Sequence, residues 1–90
     1  MTKQEISDKI LEITCSRFKI EKKEILLKST LDEFGVNSLD LVEVIFDIEE
    51  AFKIIFPDNV AFKFYIITTT PIKNFVTSIA EYIDSDINKN

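Results

Sequence analysis

Ser38 stands three residues after Gly35, the only glycine among 90 residues. It opens a stretch carrying Asp40, Glu43, Asp47, Glu49 and Glu50 against one base, Lys53. Glycine reaches backbone conformations that other residues adopt only with strain, so Gly35 predicts a bend just ahead of the serine. The residues after it recur at helical spacing, which puts Ser38 at the start of a helix. Unpaired N–H groups and the helix dipole favour negative charge there, so a phosphate ester on the serine hydroxyl would sit in a favourable field. A serine at a helix start also serves as a plain N-cap, and one residue by itself leaves both readings open.

The missing residue types narrow the chemistry. With no histidine, Ser-His-Asp and Cys-His arrangements and histidine metal sites are excluded. One glycine is too few for a P-loop or a dinucleotide fingerprint. Cys15 is the single cysteine, so no intramolecular disulfide or thiolate cluster forms, and it reads as a small packing residue. No catalytic residue and no metal site is expected: the chain reads as a non-enzyme. Its net charge of −5 is concentrated in residues 29–58, where Lys53 opposes eight acids, while residues 1–28 carry seven bases and five acids. An acidic middle segment argues against nucleic acid and anionic lipid as partners and for proteins with basic patches.

The elements that must position Ser38 are helical. Ninety residues predict a single domain, 1–90, with a polar, frayed tail over 85–90. No apolar run is long enough for a membrane span and the N-terminus is polar, so a cytoplasmic monomer is expected. The first helix starts on Thr2 with Glu5 three residues on, a capping-box pattern, and Ile6, Ile10, Ile13 and Leu11 follow to about Arg17. Residues 18–36 form a long loop anchored by Ile20, Ile25, Leu26, Leu31 and Phe34, with Ser29 or Thr30 capping a short turn. The second helix, Ser38 to Phe52, puts Leu41, Val44, Ile45, Ile48 and Phe52 on one face. Asp40, Glu43, Asp47 and Glu50 gather opposite, around Leu39 and Phe46, with Glu49 nearby. Residues 58–67 alternate like a strand, but a lone strand has no partner, which favours a short irregular helix. The last helix reads as Thr70 N-cap and Pro71 first residue, with Ile72, Phe75, Val76, Ile79 and Ile83 on one side.

The run Ser29-Thr30-Leu31-Asp32-Glu33-Phe34-Gly35-Val36-Asn37-Ser38-Leu39-Asp40, with Val42-Glu43, Ile48 to Phe52, Phe56-Pro57-Asp58 and Val76 to Ile83, resembles the acyl carrier proteins. The likeness spans roughly residues 2–58 and 70–84. It implies an all-α four-helix bundle of the acyl-carrier type, with three long helices, one short one and a long loop between helices 1 and 2. It further implies that Ser38 accepts 4′-phosphopantetheine from coenzyme A through a separate phosphopantetheinyl transferase, and that acyl groups ride on the arm as thioesters for fatty acid, lipid or related synthesis. Partner recognition carries over to Asn37, Leu39, Asp40, Glu43, Phe46, Glu49 and Glu50. These would meet basic patches on the transferase and on acyl-transferring, condensing or acyl-activating enzymes. Ile6, Ile10, Leu41, Ile45, Ile48, Phe75, Ile79 and Ile83 form the core, and in carriers of fatty chains such positions also receive the acyl group. Two alternatives stay open, a peptidyl or D-alanyl carrier and an unmodified interaction module. Leu39 and the acidic second helix favour an acyl cargo.

The chain departs from the family pattern twice. Asn37 replaces the usual aspartate before the serine; it keeps the capping ability but loses a charge, which implies slower modification or a dedicated transferase. The segment between Pro57 and Val76 is several residues longer than usual and includes Phe62, Phe64, Tyr65, Ile66 and Ile67. Extra core packing is its first reading, and a larger acyl pocket the second.

Overall fold

Thr2 begins the first helix as the sequence predicts. Its Oγ1 accepts the Glu5 N–H at 3.1 Å, and Glu5 Oε1 accepts the Thr2 N–H at 2.8 Å, a reciprocal capping box. The computed structural model describes residues 1–25, 29–65 and 70–87, and the side chains of all of them but Tyr65. The described residues form four helices, α1 (Lys3–Phe18), α2 (Ser38–Phe52), α3 (Asp58–Tyr65) and α4 (Ile72–Ile87), and no strand. The all-α expectation holds, and so does its proportion of three long helices to one short. Residues 58–65 make a regular two-turn helix, and Ile66 and Ile67 lie outside the described residues.

Hydrogen bonding gives the capping box a pH signature. The Thr2 backbone N–H and then its hydroxyl hold the Glu5 carboxyl below its ordinary value of 4.5. A carboxylate whose folded pKa is depressed adds stability above its unfolded value and loses it as pH falls through the folded one. The thermal midpoint of the native chain should therefore drop more steeply below pH 4.5 than that of Glu5→Gln. Equal slopes would put the acid sensitivity on other carboxylates.

α1 packs against α4 and α2, and α2 packs against α3. Ile6, Ile10, Leu41, Ile45, Ile48, Phe75, Ile79 and Ile83 are all fully buried, as their periodicity predicts. Ile13 and Leu11 are only partly covered, because the inner face of α1 runs Ile6, Ile10, Thr14 at a strict four-residue step. Thr14 is buried with its hydroxyl donating to the Ile10 carbonyl at 2.8 Å, which satisfies the one polar atom that face takes inside. Cys15 is buried too, and burial pushes its thiol pKa up, away from the reactive thiolate.

The last helix corrects the sequence reading at its start. The Pro71 carbonyl accepts the Phe75 N–H at 3.2 Å, so Pro71 occupies the capping position and α4 begins at Ile72, one residue later than expected. The cause lies in the long loop. Thr30 bridges Pro71 antiparallel, and the Ser29 carbonyl accepts the Ile72 N–H at 2.8 Å, an amide the helix itself leaves unpaired. α4 then continues past Asp84 to Ile87. The loop is thus tied to the head of α4. Ile20 and Leu31 are buried, while Phe34 and Ile25 are partly buried; Leu26 lies outside the described residues.

Candidate functional site

The approach to Ser38 is built from a short 3-10 turn, Leu31–Phe34, that ends on Gly35. Thr30 precedes this turn without capping it; its hydroxyl donates to the Asp32 carboxylate. Gly35 has φ of 80°, and its N–H reaches back to the Asp32 carbonyl at 3.1 Å. A Cβ added at Gly35 would meet nothing within 4 Å, so the demand for glycine comes from backbone conformation alone. α1 and α2 end on Lys19 and Lys53, both in the left-handed region that a C-terminal glycine usually fills. The chain accepts that strain at two caps and keeps its one glycine for the turn ahead of the serine.

Past Gly35, Val36 turns inward and is buried. Asn37 then caps α2: its Oδ1 accepts the Asp40 N–H at 3.0 Å, and Asp40 Oδ2 accepts the Asn37 N–H at 3.0 Å. Ser38 is therefore not the N-cap. It is the first helical residue, exposed, and its hydroxyl has no hydrogen-bond partner among the described residues. The backbone N–H groups of Ser38 and Leu39 are likewise unpaired there, as the first amides of a helix must be. An unengaged hydroxyl beside two free amides suits a phosphate ester.

The side chains on α2 divide by direction. Leu39 is 78% exposed and Phe46 59% exposed, with Glu43 and Glu50 between and beside them. The other three acids are engaged within the fold. Asp40 belongs to the capping box. Asp47 takes a two-pronged pair from Arg17 of α1, at 2.6 and 2.7 Å, and the same guanidinium reaches Glu43 at 3.4 Å. The hydrogen bonds Arg17 donates to Asp47, and then the Asp47 charge, raise the Arg17 pKa further above its ordinary value. Glu49 is half-buried, and its Oε2 accepts the Phe56 N–H at 2.6 Å, fixing the link between α2 and α3. Sequence periodicity finds neither the Arg17 nor the Glu49 contact: the first spans thirty residues and the second depends on the fold of the 53–57 link.

Residues 8–65 match the family described as "Phosphopantetheine attachment site". The chain belongs to the acyl carrier protein family. It is 39% identical to an acyl carrier protein of Rubrobacter xylanophilus over 64 residues, covering 70% of this chain and 79% of that one. It is equally similar to acyl carrier proteins of Chlorobium phaeovibrioides and Chlorobium luteolum, covering 82% of each. No solved structure shows significant similarity to it. As a carrier it takes a covalently attached phosphopantetheine, and its family is served by phosphopantetheinyl transferases and acyl-handling enzymes. No helix of the described residues is long and apolar enough to cross a membrane, and no group of histidine, cysteine or carboxylate side chains among them gathers to hold a metal ion.

Proposed function

We propose that Ser38 is the residue carrying the phosphopantetheine arm, and that the protein holds acyl groups on that arm for fatty acid, lipid or related synthesis in the cytoplasm. The observation that carries this reading is the division of labour at the head of α2. Asn37 and Asp40 do all the capping, so the Ser38 hydroxyl is spared for chemistry.

The arm supplies a thiol on which an acyl group is held as a thioester. The protein's own residues place it. Gly35 turns the chain, Val36 anchors it inward, and the Asn37–Asp40 box fixes the direction of the first helical turn. Tethering keeps the cargo at high effective concentration for whichever enzyme docks. Docking falls to the outer face of α2, where Leu39 and Phe46 offer apolar contact and Glu43 and Glu50 offer charge to a basic partner. Asn37 brings no charge to this head, which fits a transferase adapted to it.

Incubation with coenzyme A, magnesium and a broad-specificity phosphopantetheinyl transferase, followed by proteolysis and mass mapping, tests the site. One phosphopantetheine is expected on the peptide that contains Ser38. A modification mapping to another residue would sink the assignment, and so would a bare Ser38 in protein isolated from its own cell. The attached acyl group on protein isolated from its own cell identifies the pathway.

A further inference from the structure

Arg17, next to last in α1, sets a positive charge into the acidic face of α2. Its Nε and Nη2 donate to Asp47 Oδ2 and Oδ1 at 2.6 and 2.7 Å, and its Nη1 donates to Glu43 Oε2 at 3.4 Å. With Asp40 bound to the Asn37 amide and Glu49 to the Phe56 amide, only Glu50 among the α2 acids has no side-chain partner among the described residues. We propose that Arg17 is a specificity-determining residue for docking on α2. It withholds Asp47 and part of Glu43, so that a basic partner reads Glu50 and the other oxygen of Glu43 around Leu39 and Phe46. This rests on the reading of α2 as the docking face given above.

The chemistry of the pair supports a role in recognition more than in stability. A planar guanidinium matches both oxygens of a carboxylate, which a lysine cannot do. The side chains of Arg17 and Asp47 are 38% and 30% exposed, and ion pairs in such contact with water add little to stability. Their charge, by contrast, is felt by anything that approaches. Arg17 also lines an open cleft of about 480 Å³ together with Glu12, Ile13, Ser16 and Asp47. A partner that brings its own arginine to Asp47 must first displace this one. A partner with fewer or differently spaced cations meets a surface already partly neutralised.

Stopped-flow association of the unmodified protein with a broad-specificity transferase whose docking face is basic, measured without coenzyme A at low and at physiological ionic strength, separates the possibilities. Arg17→Gln should associate roughly three- to tenfold faster at low salt and lose more of that rate as salt is added. Arg17→Lys should fall between the variant and the native chain, because one ammonium cannot occupy both Asp47 oxygens. Glu50→Lys should slow association. If Glu50→Lys is slow but Arg17→Gln is no faster than native, the role assigned to Arg17 is wrong and α2 remains the docking face. If Glu50→Lys leaves the rate unchanged, the docking face is misassigned and the proposal falls with it. Circular dichroism accompanies each rate; should Arg17→Gln fail to fold, Arg17→Lys decides, with acceleration supporting the proposal and its absence overturning it.

Discussion

Ser38→Ala is expected to lose all phosphopantetheine loading while keeping its helix content and a thermal midpoint within about 2 °C of native. A serine that caps a helix does not behave this way: replacing a capping serine, threonine or asparagine by alanine costs about 1 kcal/mol, or roughly 4–8 °C in a domain of this size. In this fold that cost belongs to Asn37, whose side chain accepts the Asp40 amide, while the Ser38 hydroxyl has no partner among the described residues. Asn37→Ala is the matching control and should lower the midpoint by that amount. Intact mass after transferase treatment, with thermal melts of both variants, checks the pair of outcomes. A large loss of stability in Ser38→Ala would mean the hydroxyl supports the fold, and its missing modification would then no longer identify the attachment point.

The sequence and the structure agree best where a single local rule decides the outcome. The Thr2–Glu5 capping box and the apolar stripe Leu41, Val44, Ile45, Ile48 are contained within one helix each, and both are found as read. The bounds of α2, from Ser38 to Phe52, follow from the cap before it and the loss of periodicity after it. Agreement weakens where a residue's surroundings come from a distant part of the chain. Pro71 reads locally as a first helical residue, but the bridge from Thr30 and the bond from Ile72 to Ser29 hold it outside the helix. The acidic face of α2 reads as one uniform surface, because a helical wheel records direction and not neighbours. Only the packing of α1 across it shows Asp47 and Glu43 tied to Arg17. Phe56 had no period to belong to, yet it is buried, with its ring edge-on to Phe64 at 5.3 Å and to Tyr82 at 5.4 Å.

That aromatic contact carries a large expected stability effect. Phe56→Ala removes a ring that joins α3, through Phe64, to α4, through Tyr82, and should cost about 3–5 kcal/mol, a large share of the stability of a small fold. Part of the loss is the cavity and part is the edge-to-face contacts, which add about 0.5–1.5 kcal/mol for each pair. The Phe56 backbone is held separately, by the Glu49 carboxylate on its N–H at 2.6 Å. Glu49→Ala should therefore destabilise by about 1.5–3 kcal/mol, as expected when a partly buried amide loses a charged acceptor. The two changes act on one residue through different atoms, so their effects should fall short of additive in the double variant. Urea unfolding of the native chain, both single variants and the double variant measures this directly. A Glu49→Ala variant as stable as native, but slow to meet a basic partner, would instead place Glu49 on the docking face beside Glu43 and Glu50. Loss of stability with native association would assign it to the α2–α3 link, where its hydrogen bond puts it.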